Sequence, residues 1–306
     1  MELSFLAYLR GRCRSLPQVA VGIGDDAAVI DPVAGQQIAC ADQIIDGVDF
    51  LADQHDLADI GYKSMAINLS DIAAMGGEPT AALVTLSLPK QDATRIAGAV
   101  YEGILEAASL FGVAIAGGDL STYDGPLAIS VTLLGTVPSG GAWLRSGARN
   151  GDAILLSGPV GGSLLGRHLR PHPRIDLARQ LRQRTHVSAA IDISDGLSID
   201  LDRLCAASQL GAELSTEKIP IHAYAIARAK QTGELAFRHA WSDGEDFELI
   251  TTMSQKDADK ILAEPIPELP HQPVQIGTIV SRTGLWKVEG SKRIRMPPQG
   301  FIHDAD

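Results

Sequence analysis

The chain has 306 residues, 45% hydrophobic and 21% charged, with 26 basic against 37 acidic side chains and a formal net charge of −11. So acidic a balance disfavours a nucleic-acid partner, which needs a basic face, and no apolar run reaches the ~18 residues of a membrane span. Cys13, Cys40 and Cys205 fit neither a disulfide framework nor zinc-ligand spacing, and the basic residues of "MELSFLAYLRGRCRS" follow its apolar stretch, the reverse of a secretory signal. A cytoplasmic enzyme is the expectation.

In chain order, a short first helix precedes two strands, "VGIGDDAAVI" and "QQIACADQII". Asp56 then caps a helix through "LADIGYKSMAINLSDIAAMG", which sets Asn68 and Asp71 on one face, three residues apart. "AALVTLSL" reads as a strand ended by Pro89, and Asp92 opens the helix "ATRIAGAVYEGILEAASLF", closed by Gly112. The strands "VAIAGG" and "LAISVTLLGTV" complete a first domain over residues 1–137. The Gly- and Ser-rich "PSGGAWLRSGARNGD" opens a second domain, 138–306. There the strand "AILLSG", helical segments around 162–184 and a strand ending at Asp192 are followed by a helix from near Asp195. Strands "DFELITTM" and "PVQIGTIV" come later. The fold class is mixed α/β in both halves.

Acidic stretches recur where elements begin or end: "GDD" (24–26), "ADQ" (41–43), "NLSD" (68–71), "GGD" (117–119) and "DISDG" (192–196). A strand-to-helix corner at "DISDG" could aim Asp192, Asp195 and the Ser194 hydroxyl at one ligand beside free helix N–H groups. Ordinary capping by Ser194 or Asp195 explains that motif alone equally well. Several carboxylates can line one cleft only if cations offset their repulsion, and all-oxygen ligands favour Mg²⁺ or Mn²⁺ over zinc. Such a cleft suits a nucleoside triphosphate. There is no Walker P-loop, no G-x-S-x-G elbow and no zinc-type histidine pair. "GIGDDA" matches the dinucleotide fingerprint only formally, since two aspartates would repel a pyrophosphate. Arg145 is a candidate phosphate clamp.

The stretches "GIGDDAAV", "IGYKSMAINLSDIAAMGG", "AGGD", "RSGARNGD", "IDISDGLSIDL", "GEDFEL" and "IGTI" occur in this order from about residue 20 to 280. Together they resemble the thiamine-monophosphate kinase family of the aminoimidazole-ribotide-synthetase-like superfamily. The resemblance implies a two-domain architecture, with the N-terminal sheet pairing across a homodimer and the C-terminal α/β domain completing the ATP and substrate site. It implies direct, Mg²⁺-dependent transfer of the ATP γ-phosphoryl group to thiamine monophosphate. Carried over by position, Asp26, Asp42, Asp71, Asp119, Asp192 and Asp195 hold several Mg²⁺ ions. Gly118, Asp119, Arg145 and Ser194 meet ATP, while Glu245 and Phe301 meet the thiamine moiety. Asp25 is left to a turn or to a supporting role behind the metal ligands, because successive strand residues face opposite ways.

The chain departs from the family pattern in places. "CAD" stands for Thr-Thr-Asp or Ser-Thr-Asp, and Asp49 replaces a histidine expected near substrate. "LSTY" follows "GGD" without a basic residue, and Asp243 replaces a glycine. These departures leave two alternatives open: a paralogue acting on another phosphorylated small molecule, or a nucleotide-binding protein with little catalysis.

Overall fold

The computed structural model describes residues 2–13, 17–23, 27–31 and 35–302. Gly24, Asp25 and Asp26 lie outside the described residues, and with them the expected ligand Asp26. The chain divides into two compact units, one of Met1–Ile72, Gly77–Gly141 and Leu169–His172, the other of Ala73–Gly76, Ala142–His168 and Pro173–Asp306.

In the first unit, helix α1 (Glu2–Arg12) leads to strands β1 (Val19–Val21) and β2 (Val29–Ile30), which pair antiparallel. The single strand expected over "VGIGDDAAVI" is therefore corrected to two short strands, β1 and β2, that pair with each other. A four-stranded sheet follows, built from β3 (Gln36–Ile45), β4 (Glu78–Pro89), β5 (Ala114–Tyr123) and β6 (Ala128–Val137) in the order β3-β6-β4-β5. Only β4 and β5 are parallel, and helix α3 (Ala93–Phe111) makes the crossover such a pair needs. Helix α2 (Leu57–Ala74) precedes β4.

Alternation along the strands gives this sheet two unlike faces. Val84, Leu86, Ile129, Val131 and Leu133 are fully buried, whereas Ala39, Ala41, Leu83 and Thr85 are exposed. Hydrogen bonds from the Cys40 thiol to Asn68 bring α2 onto the buried face.

Asp56 caps α2 as expected, its carboxylate accepting the Ala58 N–H at 2.7 Å. Asp92 does not cap α3 through its side chain. Its backbone is left-handed at φ 56°, and the carboxylate instead lies 3.6 Å from Arg95. The two helices touch backbone to backbone. A Cβ on Gly61 would stand 1.9 Å from the Val100 carbonyl oxygen, and one on Gly103 would stand 1.7 Å from that of Ala58. No larger residue fits at either position without separating the helices.

The second unit is a seven-stranded sheet, β13-β12-β9-β11-β7-β10-β8. Its strands are β7 (Ala153–Leu156), β8 (Ala189–Asp192), β9 (Gly211–Leu214), β10 (Leu249–Met253), β11 (Val274–Val280), β12 (Gly284–Glu289) and β13 (Lys292–Met296). Among them run helices α4 (Ile175–Arg184), α5 (Leu197–Ala207), α6 (Ala223–Thr232), α7 (Ala236–Ser242) and α8 (Gln255–Ala263). Ile154, Ile191, Leu204, Trp241, Ile250 and Ile276 belong to the core that joins α5 and α7 to the sheet. The helical stretch expected around 162–184 consists of two 3-10 turns, Ser163–Leu165 and Arg167–Leu169, followed by α4. Gly166 and two prolines, at 171 and 173, break it up.

Candidate active site

In the first unit, the β3–β6–β4 register sets Asp42 beside Val131 and Val84, and so on the buried face. There its side chain hydrogen-bonds to that of Asp71 on α2, and burial pushes the Asp42 carboxyl above its ordinary value. Two carboxylates at this separation need either a shared proton or a cation between them. Half-buried oxygen donors gathered this way suit a hard divalent cation such as Mg²⁺.

Asp119 lies elsewhere on the sheet. It faces Thr85 in the β4–β5 register and is exposed, at the edge opposite β3. Gly118 beside it has φ 151°, and a Cβ there would lie 1.8 Å from the Val84 carbonyl oxygen, so only glycine lets β5 run this close to β4. Asp49 closes a local turn, its carboxylate accepting the Ile45 N–H at 2.7 Å. The ammonium of Lys63, a residue only 1% exposed, donates to the Asp49 carbonyl at 2.9 Å. Sequence reasoning passed over Lys63, which read as one more polar position on α2.

In the second unit, Asp192 ends β8, is 4% exposed and pairs with Leu249 of β10. The "DISDG" turn follows directly, and its N–H groups are not free as expected. One carboxylate oxygen of Asp200, Oδ2, accepts the N–H groups of Ser194, Asp195 and Gly196 at 3.1, 2.9 and 3.1 Å. Asp200 lies in the first turn of α5 and reaches back over the helix start. That reach replaces capping by Ser194 or Asp195, and it occupies the donors that would otherwise attract an anion.

The carbonyls of the same turn are taken as well. Ser194 O accepts the Glu245 N–H at 2.7 Å, and Asp195 O accepts the Phe301 N–H at 2.9 Å. The two residues expected to meet thiamine are thus tied through their backbones to the turn expected to meet metal and ATP. The Phe301 side chain is exposed. The Asp195 carboxylate pairs with Arg203. Arg145 is exposed in a 3-10 turn (Arg145–Gly147), and its carbonyl accepts the Ser208 hydroxyl at 2.8 Å.

The segment "GEDFEL" carries acids that the sequence did not distinguish from one another. Glu245 and Phe247 adopt left-handed backbone (φ 52° and 50°), held by bonds from their N–H groups to Ser194 and Ile193 carbonyls. Such conformations are uncommon in non-glycine residues and cluster at functional sites. Glu248 is 1% exposed and binds the Arg174 guanidinium and the Ser157 hydroxyl. Asp246 accepts the Gly161 N–H through both oxygens and pairs with Arg167. Asp243, where the resembled family has glycine, lies 2.9 Å from His239 Nδ1 and accepts the Gly162 N–H at 3.1 Å. That departure is structural, since the carboxylate fastens a glycine loop.

Burial raises the Asp246 carboxyl from 3.8 to about 7, against the lowering pull of Arg167. A carboxyl raised in the native state binds its proton more tightly there than in the unfolded chain. Its contribution to stability is therefore full below about pH 4 and is lost as pH rises through about 7. Urea midpoints of the wild type are expected to fall across that window, and Asp246→Asn to flatten the slope. An unchanged slope in the variant would assign the pH dependence to other groups.

Among the described residues, no cluster of three or more His, Cys, Asp or Glu side chains is gathered as a metal cage, and no helix is long and apolar enough to cross a membrane. The strand-end or helix-start placement expected of the acidic stretches holds for Asp192 and Asp195 alone among the described ligand candidates, since Asp42 and Asp119 lie within β3 and β5 and Asp71 in the last turn of α2. Two folded units, each carrying such carboxylates, define a class. Residues 24–137 match the family AIR synthase related protein, N-terminal domain, and residues 132–285 match AIR synthase related protein, C-terminal domain.

The relatives narrow this further. The chain is 58% identical to the curated thiamine-monophosphate kinase of Rhodopirellula baltica, over 99% of this chain and 97% of that protein. The crystal structure of thiamine-monophosphate kinase from Stenotrophomonas maltophilia superposes with a TM-score of 0.79 at 33% identity, covering 92% of this chain and 94% of that one. A second structure, AaThiL complexed with AMPPCP and TMP, gives 0.77 at 27% identity over 92% of both chains. The chain belongs to the thiamine-monophosphate kinase family.

Proposed function

We infer that this protein transfers the γ-phosphoryl group of ATP to the phosphate of thiamine monophosphate, giving thiamine diphosphate and ADP. The observation that carries this reading is the near full-length 58% identity with a curated thiamine-monophosphate kinase. A relative of like fold has been crystallised with AMPPCP and TMP.

The residue roles follow from chemistry and placement. Asp26, Asp42, Asp71, Asp119, Asp192 and Asp195 are the proposed Mg²⁺ ligands, and the carboxylate pair of Asp42 and Asp71 supports that assignment. Mg²⁺ held by these carboxylates would supply positive charge against the ATP phosphates. Gly118 keeps backbone open to the nucleotide beside Asp119, while Arg145 and Ser194 donate to its phosphates. Asp49, Glu245 and Phe301 contact thiamine monophosphate. No side chain is asked to form a covalent intermediate, so catalysis is positioning of an in-line attack.

Residues 1–137 are proposed to supply one set of carboxylates, the dimer contact and Asp49, and residues 138–306 the other set with Glu245 and Phe301, completing the ATP and substrate site. The exposed sheet face carrying Ala39, Ala41, Leu83 and Thr85 is proposed to meet its counterpart in a homodimer, and the enzyme to act in the cytoplasm. Incubation with ATP, Mg²⁺ and thiamine monophosphate is expected to yield thiamine diphosphate, and none once EDTA removes the metal. Product formation with EDTA present would sink the metal assignment. Absence of product with Mg²⁺, despite ATP binding, would sink the acceptor.

A further inference from the structure

We propose that Asp200, acting with Arg203, is a positioning residue for phosphoryl transfer, one that sets the geometry of the Ser194–Gly196 turn without touching ATP or the acceptor. The proposal rests on the metal and ATP roles assigned above to Asp195 and Ser194. Its basis is a division of labour between the two oxygens of one carboxylate. Oδ2 collects three consecutive backbone N–H groups, those of Ser194, Asp195 and Gly196. Oδ1 accepts from Arg203 NH1 at 2.7 Å, and the same NH1 holds Asp195 Oδ2. The backbone of the turn and the direction of the Asp195 carboxylate are therefore both fixed from Asp200.

Asp200 itself is well placed to be rigid, because its side chain is 1% exposed and sits on α5. An ionised carboxylate so buried is retained at a cost unless its oxygens are well paired, and here both are. Every backbone polar group of Ser194 and Asp195 is engaged, the N–H groups by Asp200 and the carbonyls by Glu245 and Phe301. What the turn offers a ligand is therefore its side chains, with one Asp195 oxygen already held by Arg203. Gln299 strengthens the arrangement by exchanging two hydrogen bonds with Ser198, the second residue of α5. Outer residues that orient metal ligands typically change metal affinity 10- to 100-fold when lost, and a displacement of about 1 Å at a reacting centre costs about 10²-fold in rate.

Asp200→Asn tests this, because the amide keeps the shape while turning Oδ1 or Oδ2 into a donor that must face Arg203 or the N–H groups. In the folded variant kcat is expected to fall about 10²-fold, with Mg²⁺-ATP binding weakened about 10-fold by calorimetry. A folded variant with wild-type kcat and wild-type Mg²⁺-ATP affinity overturns the proposal, even if its unfolding midpoint drops. Should Asp200→Asn fail to fold, Arg203→Met at its half-exposed site decides instead. It is expected to raise the Mg²⁺ concentration needed for half-maximal rate, and an unchanged Mg²⁺ dependence counts against the assignment. If wild-type protein binds Mg²⁺-ATP without making thiamine diphosphate, the acceptor reading fails. The positioning role is then judged on Mg²⁺-ATP affinity alone.

Discussion

Asp42→Asn is expected to lower thiamine diphosphate formation about 10³-fold, equivalent to about 4 kcal/mol of transition-state stabilisation, while raising the unfolding midpoint of the metal-free protein. The two effects have one cause. Asp42 and Asp71 share a hydrogen bond on the buried sheet face, and burial raises the Asp42 carboxyl. Without a metal, two carboxyl groups gathered on a buried face must share a proton or repel each other, which a neutral amide relieves, and the same amide is a far poorer ligand for a hard cation. A site kept at the expense of stability is a common trade in enzymes. Thermal melts in EDTA and in Mg²⁺, paired with product assays, check it. Loss of activity with a lowered midpoint in EDTA would mean that Asp42 is structural.

Glu248→Ala is expected to destabilise the protein by about 3–5 kcal/mol, the range for breaking a buried pair from one side. The substitution strands the Arg174 guanidinium, whose side chain is 10% exposed, and leaves the Ser157 hydroxyl without its acceptor. Urea denaturation gives the number directly. The double variant Glu248→Met with Arg174→Met is expected to recover much of the loss, because no buried charge then remains. A single-variant cost below about 1 kcal/mol would show the pair to be solvated in solution.

Much of this molecule could be read from its sequence, and the reasons are particular. Helices α2 and α3 were legible because long apolar periodicity and terminal signals agree, although Asp92 turned out to adopt a left-handed backbone in place of a side-chain cap. The strands β4, β6 and β11 were legible from their β-branched runs. By contrast, β9 spans four residues and β13 reads "KRIRM" with four of its five positions exposed, so neither carries a hydrophobic signature. Within the candidate site, only Asp192 and Asp195 lie at a strand end and before a helix start as expected; Asp42 and Asp119 are inside strands and Asp71 is in the last turn of α2, yet Asp42 and Asp71 meet as a pair in the fold. Asp200 did not stand out. An acid in the first helical turn is ordinary macrodipole chemistry, and nothing local says that its oxygen will gather three N–H groups. Lys63, Arg174 and Glu248 were hidden for a related reason, since their partners lie between 14 and 91 residues away.

The close approach of α2 and α3, Gly61 against Val100 and Gly103 against Ala58, bears on the proposed metal site in a mechanical way. Where two helices meet through side chains, each can slip by a rotamer change. Here carbonyls abut Cα atoms, and there is no soft material to absorb a displacement. Helices α2 and α3 therefore behave as one strut, keyed at a fixed notch. Asp71 lies ten residues beyond Gly61 along α2, about 15 Å down the axis. Its reach toward Asp42 is set by where that notch falls, as a key's teeth are placed by its shoulder.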